Sequence, residues 1–359
     1  MAHRPIVNHL RPLFLLLILL HFASLPTRIV ASGSVSAVIV FGDSSVDAGN
    51  NNHITTVLKS NFQPYGRDLD GGRPTGRFCN GRIATDFISQ AFGIKPEIPA
   101  YLDPAYTIQD FATGVSFASA GTGYDNATSD VLNVIPLWKE LDYFRDYKQR
   151  LTAYAGPKEA YRIISESVYV ISAGTNDFME NYYTFPTRSS SFTVEEYEGF
   201  LLNIVRRFVA EIYHMGARKL SLTSLPPMGC LPLERTMNFM RQSVCRDDYN
   251  AVARDFNAKL QAAAAKLRSE LPGMRVVVTD IYTIWMQVTD NPSLYGIEIV
   301  GVGCCATGLF EMGYLCDKWN PFTCTDANKY IFWDSFHPTE KMYSILAQHA
   351  MNTSLAEFL

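Results

Sequence analysis

The sequence predicts an α/β fold in which a central parallel sheet carries helices on both faces. Two observations carry this. Strand-like apolar runs alternate with helical patterns from residue 35 to the C-terminus, the order that yields a parallel sheet. Three of those runs end in a glycine beside polar residues, at Gly42-Asp43-Ser44, at Ala120-Gly121 and at Gly174-Thr175-Asn176-Asp177. Sites in open parallel sheets form beyond the carboxyl ends of the strands, so these endings should share one edge. No internal repeat, low-complexity segment or Gly/Ser linker divides the 359 residues. Residues 33–359 therefore read as one domain, large enough for a full core.

The elements follow in order. The run 35–41 (VSAVIVF) is a buried strand stopped by Gly42. Residues 60–82, rich in Gly, Pro, Arg and Asp, form a long ordered loop, and 82–92 an amphipathic helix. A second strand spans 114–119 (GVSFAS). Leu137, Leu141, Phe144 and Leu151 then keep helical spacing through a charged stretch. The third strand is 167–173. A helix over 195–215 follows it, with Leu201, Ile204, Phe208 and Ile212 on one face. The fourth strand, 217–225, is stopped by Pro226-Pro227. Tyr249, Val252, Phe256, Leu260, Leu267 and Leu271 mark a long helix, and 274–279 is the fifth strand. After a Cys-rich stretch, the C-terminal helix runs from 339 to about 358, with Pro338 suited to its first turn.

The chain is 47% apolar and 18% charged. Residues 1–32 read as a secretory signal, with Arg4 and Arg11 ahead of an unbroken apolar run over 13–20 and small residues at Ala31-Ser32-Gly33 for cleavage. A membrane span needs about 20 apolar residues, and His21, Pro26 and Arg28 interrupt this one; no stable membrane insertion is expected. Cleavage removes three arginines and no acids, which takes the formal charge from −4 to −7. A mildly acidic surface without a basic cluster argues against nucleic acid as a partner.

Seven cysteines in a secreted chain read as disulfides. Cys230 and Cys245 flank one loop. Cys304, Cys305, Cys316 and Cys324 crowd another, where three pairings are open. Cys79 has no local partner, and the odd count leaves at least one thiol free or paired between chains. No C-x-x-C pair meets a His at zinc spacing, so no metal is expected. Asn126-Ala127-Thr128 and Asn352-Thr353-Ser354 are glycosylation sequons.

The chemistry centres on Asp334-Ser335-Phe336-His337-Pro338. Three of the seven histidines (His3, His9, His21) fall in the removable segment. His53, His214 and His349 have no carboxylate in a comparable local arrangement. His337 is thus the candidate general base, with Asp334 one turn away to hold its other ring nitrogen. Ser44 is the candidate nucleophile, with Ser45 competing; a serine hydroxyl attacks well only when an imidazole takes its proton. The backbone N–H groups of Ser44 and Gly121 and the amide of Asn176 suit an oxyanion hole. Singly, these residues make a turn, a tight bend and a helix cap. Together they fill every role of an acyl-transfer site.

The residues that carry this chemistry resemble the GDSL-type esterase/lipase branch of the SGNH hydrolases, and specifically its large plant group. The blocks stand in order as Phe41-Gly42-Asp43-Ser44-Ser45-Val46-Asp47-Ala48-Gly49-Asn50-Asn51, then Phe117-Ala118-Ser119-Ala120-Gly121, then Gly174-Thr175-Asn176-Asp177, then Asp334-Ser335-Phe336-His337-Pro338. Pro74-Thr75-Gly76-Arg77-Phe78-Cys79-Asn80-Gly81-Arg82 and Leu225-Pro226-Pro227-Met228-Gly229-Cys230-Leu231-Pro232 are similar to that group as well. The resemblance implies a flavodoxin-like three-layer sandwich without metal or organic cofactor. It makes Ser44 the nucleophile, Gly121 and Asn176 the remaining oxyanion residues, and His337 with Asp334 the activating pair. Two positions depart from the pattern: the signature Leu is Ser45, and Ser116 stands where Asn is frequent.

The expected activity is hydrolysis of acyl or lipid esters through an acyl-enzyme, by a monomer secreted to the apoplast or cell wall. Two alternatives stay open, an acyltransferase using the same site with an alcohol acceptor and a non-catalytic binding protein on this scaffold. Phe332, Trp333, Phe336 and Trp285 are candidates for an acyl groove, though core packing is the ordinary role for most aromatics. The loops 60–82 and 180–195 should shape the entrance.

Overall fold

Each strand of the central sheet is a short apolar run whose alternate side chains feed two different cores. The computed structural model describes Met1 and residues 35–238 and 244–359. The expected signal segment and its cleavage site lie outside the described residues. The sheet comprises β1 (Val38–Gly42), β2 (Gly114–Ser116), β3 (Val168–Ser172), β4 (Lys219–Thr223) and β5 (Arg275–Thr279). All pairings are parallel, in the order β2-β1-β3-β4-β5. This is the flavodoxin-like order, and its switch point lies beside β1 and β3, where crevices form.

Alternation along the strands sorts side chains between the layers. Ile39, Phe41, Tyr169, Ile171, Leu220 and Leu222 join one core. That core is covered by α3 (Leu137–Ala155), α4 (Pro157–Glu166), α5 (Val194–His214) and α6 (Asp247–Glu270), reached in the chain after α1 (Ala84–Ala91) and α2 (Asn126–Leu132). Val38, Val40, Val168 and Val170 face the other way. There they meet α1 and the C-terminal α8 (Glu340–Asn352), which follows α7 (Ile281–Asp290).

Several elements differ from the expectation. The second strand ends at Ser116 rather than 119; beyond it the Phe117 and Ser119 N–H groups still donate to the Val40 and Gly42 carbonyls, while Asn50 Nδ2 donates to the Ser116 and Ala118 carbonyls at 2.9 and 2.8 Å. The C-terminal helix stops at Asn352. Thr353 leaves helical geometry, and a separate 3-10 turn, Ser354–Phe358, buries Leu355 and Phe358 against the sheet. Residues Asp177–Thr184, expected in part as loop, form a π-helix, a form concentrated at functional sites. A small parallel pair, β6 (Ile299–Gly303) with β7 (Tyr330–Phe332), brackets the Cys-rich loop. Its disulfides pair Cys304 with Cys324 and Cys305 with Cys316, and Cys230 pairs with Cys245. Cys79 is free and buried.

The Gly/Pro-rich stretch before α1 is ordered by a buried ion pair. Arg77 places two guanidinium nitrogens on the two oxygens of Asp86 at 2.8 and 2.9 Å, and reaches the Ile98 carbonyl at 2.8 Å. Asp86 also accepts the N–H groups of Ile83 and Ile98. Removing one partner of a buried pair leaves an uncompensated charge, at a cost of about 3–5 kcal/mol. Arg77→Ala should therefore lower unfolding stability by that amount in urea denaturation, and adding Asp86→Asn should recover part of the loss.

Candidate active site

The site assembles where β1, β2 and β3 end. Gly42 (φ 133°) closes β1, and any Cβ there would lie 1.8 Å from the Ser172 carbonyl oxygen of β3. Only glycine permits this approach. The Gly42 N–H donates to Glu140 of α3 at 2.8 Å, and the Asp43 N–H to the Ser172 carbonyl at 2.9 Å. The turn thus leaves β1 in one direction and presents Ser44 and Ser45 differently. Ser44 Oγ lies 2.8 Å from His337 Nε2. Ser45 Oγ donates to Asp43 Oδ1 at 2.6 Å and lies 2.9 Å from Ser172 Oγ. Of the two competing serines, only Ser44 addresses the imidazole.

His337 enters through a tight local turn. Its Nδ1–H faces both oxygens of Asp334, at 3.0 and 2.9 Å, and its backbone N–H donates to Asp334 Oδ1 at 2.7 Å. A hydrogen bond at Nδ1 leaves Nε2 as the proton acceptor toward Ser44. Asp334 is fully buried and takes a further bond from Tyr65, whose hydroxyl donates at 2.8 Å while accepting the Gly313 N–H at 2.9 Å. The disulfide-bonded loop therefore supports the Asp through Tyr65. The Ser335 N–H is held by the Glu311 carbonyl at 2.9 Å.

The expected oxyanion groups lie beside this pair. The backbone N–H groups of Ser44 and Gly121 have no partner among the described residues. Gly121 adopts φ +87°, and a Cβ would meet Leu58 at 2.5 Å. Asn176 Nδ2 donates to the Thr122 carbonyl at 3.0 Å and keeps its second hydrogen. Ser44, Gly121, Asn176 and His337 line one space of about 260 Å³. On its other side Ser44 opens onto a larger space of about 570 Å³, walled by Pro226, Trp285, Phe336 and Leu346 among others. Of the four candidate aromatics, Trp285 and Phe336 thus reach the cleft, whereas Phe332 and Trp333 are buried in the core.

The loops carrying these groups are tied by buried carboxyls. Asp47 accepts the N–H groups of Gly49 and Asn50, both at 2.7 Å, and of Ala120 at 3.1 Å, so one side chain spans the β1 and β2 loops. Asp177, beside Asn176, accepts the N–H groups of Tyr124 and Asp125 and the hydroxyl of Thr128. Burial pushes the Asp47 carboxyl up to about 6 and that of Asp177 to about 7. Glu180, on the π-helix, lines the smaller space with one carboxyl oxygen unpartnered; burial, with Asp177 and Asp43 nearby, pushes it up to about 8.

Sequence reasoning missed Tyr65, Glu140 and Glu180. Glu140 left a signal, since it sits with Leu137, Leu141 and Phe144 on one helical face. A carboxylate in that apolar stripe marks an unusual burial. Tyr65 and Glu180 left none. Helix α7, which brings Trp285 to the cleft, was missed as well, although Asp280 caps it and Ile281, Ile284, Trp285 and Val288 keep helical spacing. Among the described residues no group of three or more His, Cys, Asp or Glu could hold a metal ion. No helix among them is long and apolar enough to cross a membrane.

The GDSL-like lipase/acylhydrolase family profile matches residues 38–350. The GDSL esterase/lipase At2g04570 of Arabidopsis thaliana is 56% identical over 353 residues, covering 98% of this chain and 100% of the relative. Two further Arabidopsis thaliana relatives, GDSL esterase/lipase At2g42990 and At4g26790, are 54% and 57% identical over 342 and 322 residues. These matches cover 95% and 90% of this chain, and 96% and 92% of the relatives.

The buried carboxyls set a pH dependence of stability. Asp43, Asp47, Asp177 and Glu180 are all raised in the folded state. Between their ordinary values near 4 and about 8, the folded chain holds protons that the unfolded chain has lost. Stability therefore falls as pH rises through that window. The thermal midpoint should be higher at pH 5 than at pH 8, and Glu180→Gln should narrow the difference.

Proposed function

This chain belongs to the GDSL-like lipase/acylhydrolase family and is an ester hydrolase; from that premise we propose that it cleaves carboxylic esters through an acyl-enzyme on Ser44. The observation that carries the reading is the 2.8 Å approach of Ser44 Oγ to His337 Nε2, between residues 293 positions apart. In the proposed cycle Oγ attacks the ester carbonyl as its proton passes to Nε2. Asp334 holds the imidazole and stabilises the imidazolium. Negative charge on the former carbonyl oxygen is met by the N–H groups of Ser44 and Gly121 and the free amide hydrogen of Asn176. Collapse expels the alkoxide, which takes the proton from Nε2 and leaves as the alcohol. Water then gives a proton to Nε2 and attacks the acyl carbon. Ser44 departs with the proton returned to its oxygen, and the acid is released.

We also infer secretion. Three disulfides suit an oxidising compartment, and both sequon asparagines, Asn126 and Asn352, are exposed.

Hydrolysis of p-nitrophenyl butyrate tests the reading. Ser44→Ala should lower kcat by at least about a thousandfold while thermal unfolding stays unchanged. A folded Ser44→Ala protein with near-wild-type turnover would remove Ser44 from the chemistry. Asn176→Ala should cost about 10²–10³ in kcat with little change in KM. A pure KM effect would take its amide out of the oxyanion hole.

A further inference from the structure

A second space lies behind the cleft that opens on Ser44. It measures about 490 Å³ and occupies the gap between the β3–β5 face of the sheet and helices α1 and α8. The cleft and the second space share Ser45, Ser172, Ile281, Tyr343 and Leu346 as walls. That volume includes the part of the space open to solvent. The space exists because small side chains face each other across the layer: Ser221, Thr223 and Thr279 on the strands, Ala347 and Ala350 on α8.

The character of the walls selects an apolar occupant. The hydroxyls of Ser221 and Thr279 lie 2.7 Å apart, Thr279 also reaches Ser354 at 2.7 Å, and Ser45 is tied to Ser172. These hydroxyls are spent on one another, Val46, Ala84, Ile88 and Val170 add apolar walls, and Thr85 and Thr223 bring two further hydroxyls. Tyr343, whose hydroxyl has no partner, stands at the junction with the cleft, the ester end of the path. The space on the opposite side of Ser44 is smaller and mixed in character, with Asn176 and Glu180 beside Leu58, Phe78 and Met312.

We propose that the acyl chain of the ester runs from Ser44 past Leu346 and Ile281 into this slot beneath α8, and that the slot selects unbranched acyl groups of medium to long length. Ser45 is the residue at the junction that keeps the passage open, since a larger side chain there would fill it. The proposal rests on Ser44 as the acylated residue.

The test is kcat/KM on p-nitrophenyl butyrate and decanoate for the wild type, Ala350→Leu and Leu346→Ala. Each buried methylene contributes about 0.8 kcal/mol, about fourfold, so the wild type should favour decanoate by at least about tenfold. Ala350→Leu, which fills the slot, should lower the decanoate-to-butyrate ratio by about tenfold or more. Leu346→Ala, which widens the junction, should raise that ratio above the wild-type value and extend activity to palmitate. A wild type that does not favour decanoate overturns the proposal. So do ratios unchanged in either folded variant, and if Ala350→Leu does not fold, Leu346→Ala decides alone. A wild type inactive on butyrate and decanoate alike would instead overturn the Ser44 esterase reading itself.

Discussion

The constraint behind this structure is that irregular backbone at the carboxyl edge of the sheet is buried, and every buried N–H there needs an acceptor. Side-chain carboxyls supply it. Asp47 joins the loop after β1 to the loop after β2. Asp177 joins the start of the π-helix to the segment before α2. Asp334 gathers the turn that ends at His337, and Glu140 holds the N–H of Gly42. Each carboxyl ties together groups that helix and sheet ladders leave unpaired. The three loops bearing Ser44, Gly121 and Asn176 are therefore held relative to one another rather than left as independent surface turns.

This arrangement has an electrostatic consequence. Several acids crowd a small, buried region, so burial, and for Glu140 and Glu180 the neighbouring carboxyls, favour their neutral forms. The smaller space beside Ser44 is lined by residues carrying two unpaired backbone N–H groups and one amide hydrogen, alongside the buried Glu180 carboxyl. A site with that balance is suited to receiving negative charge. The cleft on the other side of Ser44 is larger and mostly apolar.

The Cys-rich loop belongs to the site although it contributes no reacting group. Its disulfides and the small β6–β7 pair fix Gly313, Gly313 meets the Tyr65 hydroxyl, and Tyr65 meets Asp334. Asp334 is thus oriented from a loop 269 residues away in the chain. The buried Arg77–Asp86 pair orders the same region from its other end.

The sequence by itself determined the layers and the endings. Alternating strand and helix patterns yielded the parallel sheet, and glycine with polar neighbours marked the ends of β1 and β3, whereas β2 stops at Ser116, ahead of Gly121. The Asp334–His337 pair was legible because its members are three residues apart and meet within one turn. Tertiary structure alone placed Ser44, and not Ser45, beside the imidazole, since that depends on how the turn at Gly42 rotates against β3. It alone paired Cys304 with Cys324 and Cys305 with Cys316, and brought Tyr65, Glu140 and Glu180 to the site. Small residues on α8 and on the strands read locally as unremarkable positions, and only their opposition across the layer leaves a slot. Local periodicity reports which face a side chain takes on its own element. What that face meets is set by packing between segments tens to hundreds of residues apart, and no spacing rule carries that information.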